Sequence, residues 1–163
     1  KTSGYSEYGL MTWAAASTWA ENLVYGGFDD WRLPTALNAN GSGPCAGYNC
    51  AGSEMGELFY TEGGLSAGNP IQSSVILTNV FTNMQDYIYW SSTEYAPVTG
   101  YQWAFRTFDG IQYGRAWESV NYAWAVRSGD VTAVPEPVGL LLLGLGFASL
   151  SVARRWGACS RRC

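Results

Sequence analysis

A run of 16 uncharged residues, VGLLLLGLGFASLSVA at 138–153, dominates the organisation of this chain. At about 1.5 Å of rise per residue, a helix over this run spans about 24 Å, slightly less than a hydrocarbon core of about 30 Å. Arg154 and Arg155 follow directly, and arginines beside a membrane helix mark its cytoplasmic end. The run therefore predicts a membrane helix that leaves residues 1–133 outside the cytoplasm. The alternative is a buried helix of a soluble protein.

Charge is distributed unequally along the chain. Residues 1–133 carry 5 basic and 12 acidic side chains, a net charge of −7, whereas residues 134–163 carry 4 arginines and 1 glutamate, a net charge of +3. An acidic body lacks the basic surface that phosphate contacts require, so we expect no nucleic-acid partner. The chain contains no histidine, which excludes histidine-dependent nucleophiles and histidine-ligated zinc.

The hydrophobic run is part of a longer pattern with a proline-glutamate-proline motif on one side and a basic pair on the other. The motif residues are Pro135, Glu136, Pro137, Arg154 and Arg155. From Val134 to Arg155, this pattern resembles the PEP-CTERM sorting signal of Gram-negative bacteria. The resemblance implies a temporary membrane anchor, cleavage near the motif by an exosortase-type membrane protease, and delivery to the cell surface or extracellular matrix.

These features predict three parts: an extracellular domain at 1–133, a sorting signal at 134–155 and a basic tail at 156–163. The tail contains Cys159 and Cys163, to which we assign no role. Lys1 is not an initiator methionine, and an exported protein requires an N-terminal signal peptide. We therefore expect the sequence to be a fragment or a processed form.

Cys45 and Cys50 enclose a short loop between Gly43-Pro44 and Gly52. In an oxidising compartment outside the cytoplasm, two cysteines this close pair readily. A zinc site would require a second pair of ligands, which the body lacks. The sequence therefore predicts a Cys45–Cys50 disulfide.

The first half of the body predicts two helices. Thr12 is positioned to cap a helix that ends at Gly26-Gly27. Its apolar face would comprise Trp13, Ala16, Ala20, Leu23 and Val24. Ser53 is positioned to cap a second helix through Glu62 that buries Met55, Leu58 and Phe59. We expect residues 63–80 to be irregular.

The second half predicts strands over YIYWSST at 87–93, YQWAFRTF at 101–108, IQYGRAW at 111–117 and 121–128. Asp109-Gly110 predicts a two-residue hairpin turn, which would place Phe108 opposite Ile111 and Arg106 opposite Tyr113. The last strand would close a small antiparallel sheet. Two helices followed by such a sheet are typical of an α+β fold.

Several motifs in this order also resemble one family. They are WRLPT at 31–35, Glu57-Leu58, YWSST at 89–93, WAFRTFDG at 103–110 and YAWAVRSG at 122–129. The pattern resembles the Lcl C-terminal domain, named for a bacterial collagen-like adhesin. The resemblance implies a C-type-lectin-like fold with a small antiparallel sheet, here followed by a single hydrophobic C-terminal helix. Adhesin relatives bind sulfated glycans, but a body with a net charge of −7 is poorly suited to polyanions.

Aromatic residues of the strand-rich half are candidates for a carbohydrate platform. The tryptophans are Trp90, Trp103, Trp117 and Trp124. For each of them, the alternative is a place in the core. Trp117 is the first candidate because it sits in a loop flanked by charged residues, followed by Trp103. Glu94, Glu118 and Asn121 complete the predicted ligand-binding set.

Calcium is the metal that such a site would bind, because it favours several oxygen ligands. Glu94, Asp109, Glu118 and Asn121 lie near the predicted strand ends. The calcium motifs of C-type lectins are absent from the sequence, and the predicted turn accounts for Asp109. The prediction is therefore a site without a cofactor, with calcium as the alternative.

No set of residues indicates catalysis. Glu54 with Glu57, and Asp29 with Asp30, are pairs of carboxylates that capping and solvation explain. The strand-rich half contains no reactive cysteine for a redox enzyme. We therefore expect an exported domain that binds extracellular polysaccharide. The alternative is a structural matrix or protein-interaction domain without a sugar ligand.

Overall fold

A computed structural model describes residues 8–129. The chain divides into two units, Lys1–Ser128 and Gly129–Cys163, and only Gly129 of the second is described. The predicted boundary at 133, the sorting-signal residues Pro135, Glu136, Pro137, Arg154 and Arg155, and the hydrophobic run at 138–153 lie outside the described residues. Between residues 8 and 129, no helix is both long and apolar enough to cross a membrane.

The centre of the domain is a three-stranded antiparallel sheet. Its strands are β1 (Ile88–Glu94), β2 (Tyr101–Arg106) and β3 (Ile111–Ala116), in the order β1-β2-β3. The register shifts between Trp90 and Glu94, where β1 contains an irregularity. Helices pack beside this sheet, so the predicted α+β class is confirmed.

Helix α1 (Trp13–Glu21) begins where its cap predicts. The hydroxyl of Thr12 accepts a hydrogen bond from the backbone N–H of Ala15. The prediction that Val24 belongs to the apolar face is wrong, because the helix ends at Glu21 and Val24 is 75% exposed. The end is set by Asn22, whose side-chain amide donates to the Thr18 carbonyl at 2.8 Å and competes with a further helical turn.

The second predicted helix is also confirmed. Helix α2 (Glu54–Gly56) continues directly as a π-helical segment (Glu57–Glu62). The hydroxyl of Ser53 caps it by accepting from the backbone N–H of Gly56 at 3.2 Å. Met55 and Phe59 are buried as predicted, and Leu58 packs partly buried against the same cluster.

Residues 63–80 are more regular than predicted. They contain a 3₁₀ turn (Ile71–Ser73) and helix α3 (Val75–Val80). Ser74 caps α3 by accepting from the backbone N–H of Leu77 at 3.3 Å, and Leu77 is buried. The short helix escaped prediction because only one of its apolar residues faces the core, which leaves no helical periodicity in the sequence.

The predicted hairpin register is wrong by two residues. Arg106 pairs with Ile111 rather than with Tyr113, so Phe108 is not opposite Ile111 but lies in a four-residue connection. The reason is Thr107, which is fully buried and donates its hydroxyl hydrogen bond to the Gln85 carbonyl at 2.7 Å. This contact removes Thr107 from the ladder and lengthens the turn.

The strand predicted at 121–128 does not form. The segment instead makes three separate bridges, pairing Asn121 with Met11, Tyr122 with Tyr89, and Val126 with Arg32. The Tyr122–Tyr89 bridge is parallel. Because the segment changes partner every few residues, no continuous ladder can form.

The sheet separates two hydrophobic clusters. One face contributes Ile88, Trp90 and Ala104 to a cluster with Ala16 and Ala20 of α1. The other face contributes Tyr89 and Phe105 to a second cluster. Met55, Phe59, Ile71, Leu77 and Met84 complete that second cluster. The alternation follows from the two-residue period of a strand, which sends neighbouring side chains to opposite faces.

The structure confirms the predicted Cys45–Cys50 disulfide. The enclosed loop covers the outer edge of β3, where Gly47 and Gln112 exchange backbone hydrogen bonds of 2.8 and 2.9 Å. The side-chain amide of Gln112 also donates to the Cys45 carbonyl at 2.8 Å. The loop therefore protects an edge that would otherwise be open to pairing.

Removing the disulfide should lower stability moderately. Because the closed loop is short, we expect a Cys45→Ser/Cys50→Ser variant to lose about 2 kcal/mol of unfolding free energy. Urea denaturation measures this loss, and peptide mapping under non-reducing conditions should recover the two cysteines joined. Free thiols at both positions, with unchanged stability, would refute the assignment.

Arg32 and Arg127 hold distant segments together. Arg32 donates two 2.7 Å hydrogen bonds to Glu54, linking the 31–35 segment to α2. Arg127 donates to Asp30 at 2.8 and 2.9 Å, and its guanidinium lies 3.7 Å from the centre of the Phe28 ring. Both are structural residues.

The Arg32–Glu54 pair predicts an acid-dependent stability. Burial raises the pKa of Glu54, but the hydrogen bonds from Arg32 and the Thr35 N–H, with the charge of Arg32, outweigh it and hold the pKa below its ordinary value of 4.5. The stability that this pair contributes is complete above the pKa that Glu54 has in the unfolded chain. It is lost as the pH falls through the lower pKa that Glu54 has in the folded protein. Unfolding free energy measured against pH should fall less steeply below about pH 4.5 in Glu54→Gln than in the wild type. Identical profiles would contradict the assignment.

Candidate functional site

Two of the tryptophans in residues 8–129 are buried in the interior. Trp90 is fully buried, and its indole N–H donates to the Met11 carbonyl at 2.9 Å. Trp103, a predicted ligand-binding residue, is 5% exposed and packs edge-on against Tyr95 at 4.8 Å between ring centres. A ring this buried offers no free face, so Trp103 lies outside the candidate surface.

Trp117 is different, because 49% of it is exposed. It follows β3 directly, and both of its backbone groups are fixed. Its N–H donates to the Gly100 carbonyl at 3.0 Å, and its carbonyl accepts from the Trp13 N–H at 3.1 Å. The backbone is therefore held rigidly while much of the indole faces solvent, as a preorganised contact residue requires.

Trp117 lines a cleft of about 330 Å³, which we call the Trp117 cleft. Thr12, Trp13 and Ala14 at the start of α1 also line it, and Glu118 completes the lining. The structure thus places Trp117 and Glu118, which are adjacent in the sequence, in one cleft with Trp13. Aromatic surface beside one carboxylate can contact the C–H faces of a sugar and accept hydrogen bonds from its hydroxyl groups.

The other predicted ligand residues lie elsewhere. Glu94 is an exposed residue at the end of β1, opposite Gln102. Asn121 is fully buried and exchanges two backbone hydrogen bonds with Met11, of 2.9 and 3.0 Å. Asp109 binds Arg106 within the hairpin connection. Within residues 8–129, no group of three or more His, Cys, Asp or Glu residues is arranged to hold a metal ion.

The sequence did not indicate a second, larger cleft of about 500 Å³, which we call the aromatic cleft. Six tryptophan and tyrosine residues contribute to its lining: Trp19, Tyr25, Trp31, Tyr89, Tyr122 and Trp124. They come from three segments that are distant in the sequence. Their only sequence signal was a high aromatic content of 15%, which does not show where the rings meet.

Comparison with known proteins gives one match. The profile of the Lcl C-terminal domain family matches residues 2–127, which include both clefts. The chain matches no curated protein and no solved structure at a significant level.

Proposed function

Because the chain belongs to the Lcl C-terminal domain family, we propose that it is an exported binding domain that recognises extracellular polysaccharide. The observation that carries the proposal is the exposure of Trp117. A half-exposed tryptophan that lines a cleft offers a large, rigid apolar face to a ligand. A rigid backbone beneath this ring and a carboxylate beside it favour a saccharide contact at the Trp117 cleft.

Within this proposal, the domain adopts the C-type-lectin-like fold that the family resemblance implies. A small antiparallel sheet with helices on both faces is compatible with that fold. The domain acts by binding rather than by catalysis. In support, the Trp117 cleft is lined by a single carboxylate, Glu118, whereas glycosidases generally use two.

The proposal includes export through the PEP-CTERM pattern. Residues 138–153 anchor the precursor in the membrane, an exosortase-type protease cleaves near Pro135–Pro137, and the domain reaches the cell surface or matrix of a Gram-negative bacterium. The support is the order of the motif, the hydrophobic run and the basic pair in the sequence.

Reversing the basic pair should disturb this sorting. We expect Arg154→Glu/Arg155→Glu to reduce surface delivery severalfold, because the positive charge beside the hydrophobic run sets its orientation. Cell fractionation of the producing bacterium measures the change, with Arg161→Glu/Arg162→Glu as the matched control outside the motif. Wild-type surface delivery of the Arg154/Arg155 variant would contradict the sorting proposal.

One observation favours the alternative of a matrix domain that associates with copies of itself. Helix α3 exposes Val75, Ile76 and Val80 by 72%, 59% and 68%. Sedimentation of the full chain with and without bacterial exopolysaccharide separates the two functions. Saturable polysaccharide binding by a monomer supports our proposal. Concentration-dependent assembly without polysaccharide binding supports the alternative.

A further inference from the structure

We propose that the aromatic cleft is a second saccharide site and that it takes a neutral pyranose unit. The cleft lies where partly buried residues beside the two core clusters meet, with Trp19 from the first and Trp124 from the second. It shares no lining residue with the Trp117 cleft. A volume of about 500 Å³ lies within the range of small-molecule sites.

The rings of this cleft are held in place by one another. The Trp124 ring centre lies 4.9 Å from that of Phe81 and 5.6 Å from that of Tyr89. Trp31 is oriented by its indole N–H, which donates to the Phe28 carbonyl at 3.2 Å. A ligand therefore meets apolar faces that need little reordering, which lowers the entropic cost of binding.

The described lining carries no charge. Among residues 8–129, none of those that line the cleft is acidic or basic, and burial raises the pKa of Tyr89 to about 12, which keeps its phenol neutral. A charged sugar would lose hydration here without gaining a counter-charge. This selects neutral sugars over uronic or sulfated ones.

The lining nevertheless has polar groups to offer. The indole N–H groups of Trp19 and Trp124, the side-chain amide of Asn83 and the hydroxyl of Tyr122 make no hydrogen bond to residues 8–129. The two indole nitrogens are not among the buried polar atoms that lack a partner, so they remain accessible to solvent. A purely apolar ligand would leave these groups unpaired and desolvated, at a cost. A pyranose has C–H faces for the rings and hydroxyl groups for the polar edges.

Two separate sites would let one domain contact two polysaccharide segments at once. Such bivalency raises the apparent affinity for a long polymer without any additional contact at either site. A monomeric domain with two sites can join two polymer chains. A monomeric domain with one site cannot.

Indole ¹⁵N–¹H spectra of the full chain in micelles test this proposal site by site. The probes are cellohexaose, maltohexaose and chitohexaose, with hexagalacturonate as the acidic comparison. At least one neutral hexamer should shift the Trp19 and Trp124 resonances saturably. The acidic hexamer should not. Trp90, which is buried and bonded to Met11, is the internal reference and should remain unshifted.

A variant in the same experiment links the shifts to the cleft. Tyr25 lines the cleft and is 69% exposed, so the Tyr25→Ala variant should fold. It should bind the neutral hexamer about tenfold more weakly than the wild type. Val75→Ala, at a residue 72% exposed and outside the lining, is the matched control. Shifts that Tyr25→Ala leaves unchanged would overturn the proposal.

Two further outcomes would overturn it. One is the absence of Trp19 and Trp124 shifts with every neutral hexamer. The other is a set of shifts caused by N-acetylphenylalaninamide but by no sugar, which would identify a site for peptide side chains. The Trp117 resonance reports independently on the Trp117 cleft, so a failure of this second site is distinguishable from a failure of the proposed function.

Discussion

Replacing Gly56 with alanine is expected to destabilise the domain by at least about 3 kcal/mol. A Cβ at this position would lie 1.8 Å from the Cys50 carbonyl oxygen and 2.9 Å from the Ser53 hydroxyl. The neighbouring backbone cannot easily retreat, because Cys50 is buried and joined to Cys45. In an open helix the same change would stabilise by up to about 1 kcal/mol, so the sign of the effect is diagnostic. Urea denaturation measures it.

Gly64→Ala is the matched control for that result. Nothing lies within 4 Å of a Cβ at Gly64, but its φ is +63°, so alanine there should cost only about 1 kcal/mol of backbone strain. The difference between the variants isolates the steric contact from the backbone conformation. Equal losses in the two variants would show that the close approach of Gly56 to Cys50 is not tight in solution.

Replacing Trp117 with alanine is expected to weaken polysaccharide binding about 30-fold or more while leaving the fold intact. A tryptophan that supplies the main apolar contact of a site is commonly worth about 2 kcal/mol or more of binding free energy. The half-exposed side chain makes few core contacts, so thermal stability should change little. Calorimetric titration and thermal denaturation measure the two quantities on the same preparation.

Phe108→Ala is the matched control for Trp117→Ala. Phe108 is 42% exposed and lies in the hairpin connection, where the Arg106 guanidinium is 4.3 Å from its ring centre. It lines neither the Trp117 cleft nor the aromatic cleft. Its removal should leave binding unchanged, and equal losses in both variants would indicate a nonspecific effect of removing exposed aromatic surface.

Local features of the fold were predictable from the sequence. The caps Thr12 and Ser53 each accept from a backbone N–H three residues later, so the information lies within one helical turn. The disulfide joins cysteines only five residues apart. The charged neighbours of Trp117 in the sequence indicate a position near solvent, and the structure leaves 49% of this residue exposed.

The features of the fold that depend on long-range contacts were not predictable from the sequence. The hairpin register depends on the bond from Thr107 to Gln85, 22 residues away. The segment 121–128 has the composition of a strand, yet it bridges to residues on three other segments instead. Tertiary packing also buries Asn121 and Trp103. A pattern of polar and aromatic residues along the chain does not reveal this burial.

The aromatic cleft shows the same limit for a candidate site. Its lining comes from segments at 19–31, 80–84 and 122–125 and from Tyr89 of β1. Each segment has by itself the sequence of a helix end, a loop or a strand. Only the convergence of Trp19, Trp31 and Trp124 on one cleft distinguishes them from tryptophans that are distributed between core and surface.

Equilibrium binding of the full chain to a panel of bacterial exopolysaccharides and neutral glycans tests whether this domain recognises a saccharide. Parallel titrations with calcium and with a chelator determine whether an ion takes part. We expect saturable binding to at least one glycan that persists in chelator, because in our proposal the saccharide is held by the Trp117 ring and Glu118 rather than by a metal ion. The absence of saturable binding to any glycan would refute polysaccharide recognition and favour a matrix or protein-interaction role.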